Sequence, residues 1–231
     1  MHPILTDNGL NLNAVFNIDK LPIALVRRLA TLHSEVWNNA QLVLLGHGGP
    51  QMWSVVRTEV HAGGINPVDD FVVRTVAAYF LQAHPTRKYR LLYPGDDSDA
   101  VPLLELGTLA GWHHPSPFLV GVNSTWGPWF AYRAVVLADT HLDVTPRVAS
   151  VSPCQACESQ PCIAACPPAA IVEHTLELRR CSAYRRGPTS HCAQTCLSRM
   201  ACPVALEHRY SAEQIAYHYR RSLIAIRSRS E

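Results

Sequence analysis

The sequence predicts an α+β protein: a first part with helices packed on a sheet, then a cysteine-rich segment and a closing helix. Three observations carry this. Over the first 145 residues, apolar side chains at helical spacing (Leu21, Leu25, Leu29, Leu32, Val36) alternate with short strand-like runs such as Leu42–Leu45. All eight cysteines fall between positions 154 and 202. From about Pro146 the texture changes to Cys, Pro and Ala with few long apolar runs, so a bound cofactor must supply the cohesion an ordinary core would give.

The elements follow in order. Leu21 to Trp37 reads as an amphipathic helix, with Arg27 and Arg28 on its solvated face. Leu42 to Leu45 fits a buried strand that runs into a turn at Gly46-His47-Gly48-Gly49-Pro50, and a helix from Gln51 to His61 is expected next. Asn66-Pro67-Val68-Asp69 supplies an N-cap, a proline at the first helical position and an acid in the first turn, ahead of Phe71, Val72, Val76, Tyr79 and Phe80. Tyr89–Tyr93 is a strand and Leu103–Leu109 a short helix. Phe118–Val122 and Trp129–Ala138 are two further strands around the turn Thr125-Trp126-Gly127-Pro128. Ser211-Ala212-Glu213-Gln214 matches a capping box and opens a helix with Ile215, His218, Tyr219 and Leu223 at helical spacing. The expected domains are residues 1–145 (α+β, cofactor-binding), 146–208 (the cysteine module) and 209–231 (a helix packing on the first domain).

Composition narrows the function. With 231 residues, 48% hydrophobic and 16% charged, the chain can bury a substantial core and holds one or two domains. A net charge of +2 is far from the concentrated Lys/Arg of a nucleic-acid binder, so no polyanion partner is implied. No run approaches the roughly 18–20 apolar residues of a membrane span, and Met1–Asn11 lacks the features of a signal peptide, which makes the cytoplasm the expected compartment. Disulfides staple short exported chains; here a metal or cluster is the better reading of the thiols.

The first cysteine group is Cys154-x2-Cys157-x4-Cys162-x3-Cys166-Pro167. In bacterial ferredoxins, closely spaced cysteines hold one cubane, while the cysteine before a proline reaches to the second. The second group, Cys181, Cys192, Cys196 and Cys202-Pro203, is irregular, with gaps of ten, three and five residues. Crossed ligation then assigns Cys154, Cys157, Cys162 and Cys202 to one [4Fe-4S] cluster and Cys166, Cys181, Cys192 and Cys196 to another. Structural zinc is the rival, but it favours paired CxxC knuckles and only Cys154 and Cys157 form one.

The stretch Ala169 to His174, Leu178 to Tyr184 and Arg186-Gly187-Pro188 resembles the ferredoxin part of epoxyqueuosine reductases. Leu109–Trp112, Gly121–Asn123 and Gly127–Phe130 are similar to a glycine-and-aromatic segment of their catalytic domain. Asn66–Asp69, Trp129–Leu137 and Arg209–Gln214 resemble segments of CblC-type cobalamin-processing proteins. The resemblances, which extend to reductive dehalogenases, imply a nitroreductase-like α+β domain carrying cobalamin beside a two-cluster ferredoxin-like module. They also imply an iron-sulfur oxidoreductase that passes electrons to the corrinoid, itself the substrate or the agent that reduces a small molecule. The donor would be a flavodoxin or a ferredoxin reductase. The alternatives are an electron-transfer protein without a corrinoid and an epoxyqueuosine-type tRNA-modifying enzyme.

Candidate residues each have an ordinary reading beside the functional one. Trp112, Trp126, Trp129 and Phe130 would line a flat corrinoid pocket, or belong to an α+β core. His113 or His114 would be an axial ligand or proton donor, or an ordinary histidine after a glycine turn. Asp97, with Asp96 and Asp99 as neighbours, is the candidate general acid, although Asp-Asp-Ser-Asp after Pro-Gly also makes a solvated turn. Arg179, Arg180, Arg185 and Arg186 around Cys181 would dock an acidic donor or tune a cluster, against a solvated charge run.

Overall fold

A computed structural model describes residues 1–30, 40–95, 100–146 and 151–228 and shows an α+β chain. It divides into two compact units: Met1–Ala110 with Phe130–Val148, and Gly111–Trp129 with Ala149–Glu231.

The first unit contains α1 (Pro3–Asp7), β1 (Leu12–Asn17), α2 (Ile23–Ala30), β2 (Gln41–Gly48), α3 (Gln51–His61), α4 (Pro67–Ala83), β3 (Tyr89–Tyr93), α5 (Leu103–Leu109) and β4 (Phe130–Ala138). The four strands form one antiparallel sheet in the order β1-β2-β4-β3. All eight residues of β2 are buried, as a central strand covered on both faces must be, which explains its unbroken Leu-Val-Leu-Leu run. Helix α4 packs on β4, and its Phe71, Val72, Val76 and Phe80 are nearly inaccessible.

Several sequence expectations change here. Leu32 and Val36, assigned to the first amphipathic helix, lie outside the described residues. His47 is not in a turn: it is a β2 residue with no exposure, and the turn is made by Gly49 at φ 73°. Asn66 precedes α4, but its side chain makes no capping bond; its carbonyl instead accepts from the Asp70 N–H at 2.9 Å.

The second unit contains α6 (Pro161–Ala164), the hairpin strands β5 (Ile171–Val172) and β6 (Thr175–Leu176), α7 (Leu178–Arg186), α8 (Leu197–Met200) and α9 (Ala212–Ser228). Phe118–Val122 is not a strand. It is a looped segment held by a single bridge between His114 and Val122, with Leu119 at φ 71°. Pro115 and Pro117 offer no N–H to a ladder, which is why the apolar run there does not pair. Instead Phe118 and Val122 enter a core with Cys162, Ile171 and Cys202. The last helix is grouped with this unit, where Ile215 packs with Tyr210 and with Trp129, a residue of the expected first domain. Half of its capping box forms: the Ser211 Oγ accepts from the Gln214 N–H at 3.1 Å, while the Gln214 amide makes no bond in return. Among the described residues no helix is long and apolar enough to cross a membrane.

Candidate functional site

Local structure places each cysteine. Cys154 lies in a 3-10 turn, Pro153–Ala156, and Cys162 sits in α6, started by Pro161. Cys166 follows α6 and accepts from the Ala170 N–H at 3.3 Å. Cys181 is on α7, Cys196 occupies the N-cap position of α8, and Cys202 follows that helix. Packing of α6 on α8 carries Cys202 back toward the first cysteine group.

All eight thiols are free, and they sort into two sets. The thiols acting on Cys162 are Cys202, Cys154 and Cys157; on Cys202 they are Cys154 and Cys157. Those acting on Cys181 are Cys196, Cys166 and Cys192, and on Cys192 they are Cys196 and Cys166. Burial is the main cause that pushes Cys154, Cys162, Cys181, Cys192 and Cys202 up, and neighbouring thiols of the same set add to it. Each set faces its own cavity. Cys166, Cys181, Cys192 and Cys196 line one of about 630 Å³. Cys154, Cys157, Cys162 and Cys202 line a tight one of about 20 Å³ with Pro161, Pro203 and Val204. Phe118 lines both. Among the described residues no three His, Cys, Asp or Glu side chains converge tightly enough for a single metal ion.

Two arginines line the larger cavity. Arg185 is 7% exposed: its Nε donates to the Cys192 carbonyl at 3.1 Å, Nη1 to the Ser222 Oγ at 3.0 Å and Nη2 to the Tyr219 carbonyl at 2.9 Å. The solvated reading therefore fails for Arg185, while Arg179, Arg180 and Arg186 are exposed. Arg199 is 8% exposed, donates to the Pro128 carbonyl at 2.6 Å, and lies 4.8 Å from the Trp129 ring centre and 5.0 Å from that of Tyr210. Burial pushes the Tyr219 phenol up, and Tyr219 lines the larger cavity with Arg199 and Cys196. Sequence reasoning missed Arg199 and the hydroxyl of Tyr219; an arginine three residues past a cysteine was the available signal.

The first unit has a polar group of its own. The Arg133 Nε on β4 donates to the Nδ1 of buried His47 at 2.9 Å. Burial pushes the Tyr93 phenol up, with Arg133 pulling it down and Asp69 pushing it further up. Asp96, Asp97 and Asp99 lie outside the described residues. Of the aromatic candidates, Trp112, Trp126 and Trp129 fall in the second unit and Phe130 opens β4 of the first. Trp129 has no exposure and is enclosed by Tyr210, Arg199 and Arg209; Trp126 lies against His208, ring centres 4.4 Å apart. None of the four lines the cavities described above. His113 is pulled down by burial and by His114, and its Nδ1 is buried without a hydrogen bond.

No family model matches the sequence, and no curated protein matches it significantly. Among solved structures, the chain is similar to an epoxyqueuosine reductase bound to a tRNA-Tyr stem loop at 12% identity and a TM-score of 0.50, covering 91% of this chain and 66% of that one. An epoxyqueuosine reductase from Streptococcus thermophilus matches at 12% identity and a TM-score of 0.49, over 87% of this chain and 64% of that one. The B12-trafficking protein CblC of C. elegans matches at 12% identity and a TM-score of 0.48, over 90% and 85%. The chain thus spans just under two thirds of the two reductases, and the likeness is one of fold.

Proposed function

We propose that this chain is an iron-sulfur oxidoreductase whose second unit holds two [4Fe-4S] clusters and serves the reduction of a corrinoid. The observation that carries it is the sorting of eight thiols into two sets of four, each lining one cavity, with Cys202 and Cys166 exchanged between the sequence groups. Four thiolates are the donor set of a cubane, each binding its own iron, so they need not meet at a point as zinc ligands do. Bound clusters would take up and give up single electrons. The chain's own part is to supply sulfur, exclude water with Phe118, Pro161 and Val204, and neutralise buried negative charge with Arg185 and Arg199.

Two things support a corrinoid at the first unit. Asn66–Asp69 and Trp129–Leu137, the segments that resemble cobalamin-processing proteins, contribute Asp69 and Arg133, and both act on the Tyr93 phenol. The fold is also one that a reductase uses. Of the aromatic residues named for the corrin wall, Trp129 is enclosed in packing, Trp112 and Phe130 are nearly inaccessible, and Trp126 is partly exposed.

Anaerobic reconstitution followed by iron and sulfide analysis tests the reading. About eight irons per chain are expected in the wild type, and about four in Cys196→Ser and in Cys202→Ser, each losing a different paramagnetic signal. Zinc uptake in place of iron, or one signal lost in both variants, overturns it. A shift in the corrin spectrum on adding cobalamin is expected; intact clusters with no shift would leave an electron carrier without a corrinoid.

A further inference from the structure

The two thiol sites differ in the charge that lines them. Beside Cys154, Cys157, Cys162 and Cys202, the smaller cavity is lined by Pro117, Phe118, Gln160, Pro161, Pro203 and Val204, none of them charged. The larger one, with Cys166, Cys181, Cys192 and Cys196, is lined by Arg185 and Arg199.

Arg185 acts on both Cys181 and Cys192 and is nearly inaccessible. Its three hydrogen bonds all go to neutral oxygens, two carbonyls and a serine hydroxyl. Arg199 lines the same cavity and is nearly inaccessible, its Nη2 donating to the neutral Pro128 carbonyl at 2.6 Å. It is a second buried cation at the same site. At the first site, among the described residues, Arg209 acts on Cys202 as the smallest of its influences, and Arg209 is half-buried. A buried charge bonded only to neutral groups is costly unless an opposite charge lies close, and at low effective dielectric its field on that charge is strong.

We infer that Arg185 and Arg199 hold the group bound by Cys166, Cys181, Cys192 and Cys196 at a higher reduction potential than the group bound by Cys154, Cys157, Cys162 and Cys202. Adding an electron makes a thiolate-ligated cluster more negative, and nearby cations stabilise the reduced form most. The inference rests on the two-cluster reading above, and its test separates the two.

The test is an anaerobic redox titration of the reconstituted full chain, with dithionite as one-electron donor, followed by paramagnetic resonance. Two one-electron steps are expected in the wild type. Arg185→Gln should move only the higher step downward, by about tenfold or more in the reduced-to-oxidised ratio at fixed potential, roughly 59 mV per tenfold for one electron. Arg185→Lys should restore most of it. Arg199→Gln should move the same step in the same direction. With about eight irons in each protein, equal movement of both steps, movement of the lower one, or no movement overturns this inference alone. Fewer than eight in the wild type overturns the two-cluster reading together with it.

Discussion

Replacing Trp129 distinguishes a core side chain from a cofactor wall. The indole is fully buried on Tyr210 and Ile215, with the guanidinium of Arg199 at 4.8 Å and that of Arg209 at 5.6 Å from its ring centre. Trp129→Ala loses burial and leaves a cavity, about 3–5 kcal/mol. It also strips the ring from two cations, adding about 1 kcal/mol. That total is a large share of the roughly 5–15 kcal/mol that holds a domain folded. Trp129→Phe keeps a ring face for the cations, and the indole nitrogen makes no hydrogen bond that would be lost. Its cost should be only about 1–2 kcal/mol. The assay is anaerobic urea unfolding without added cobalamin. At a slope of about 2 kcal/mol per molar urea, Trp129→Ala lowers the midpoint by about 2 M or more, and Trp129→Phe by less than about 1 M. A Trp129→Ala midpoint within about 0.3 M of wild type, paired with loss of cobalamin binding, would refute the core assignment and restore the corrin wall.

Two further outcomes follow from named positions. Gly127 stands at φ 55°, and a Cβ there would run into the carbonyl oxygen of Val204, two residues past Cys202. Gly127→Ala should therefore cost about 2–3 kcal/mol and lower iron retention selectively at the first site, measured by urea midpoint and by the two resonance signals; a wild-type midpoint refutes it. Burial pushes Tyr79, Tyr93 and Tyr132 up, so the folded chain keeps protons that the unfolded chain loses near pH 10. These phenols should leave stability unchanged below about pH 10 and lower it as pH rises above that, ionising late in an ultraviolet titration; full ionisation near pH 10 with the fold intact would contradict this.

Local sequence determined what depends on neighbours along the chain. The unbroken apolar run of β2, the boundaries Gln51–His61, Tyr89–Tyr93 and Leu103–Leu109, and the proline and acid that open α4 were all legible, because helical spacing, strand runs and caps act within a few residues. The cysteine spacing likewise limited the chemistry of the thiols before any fold was known. Tertiary structure decided the rest. Pro115 and Pro117 kept Phe118 out of a strand and sent it into the core beside both thiol sets. Arg185 reads as one of four similar arginines in sequence, yet it alone among them is buried, because α9 offers it Tyr219 and Ser222. Arg199 and Tyr219 are 20 residues apart and meet only when α8 and α9 fold into one unit. The charge beside a thiol is set by what packs against it, and packing partners distant in the chain leave no periodic trace in the sequence.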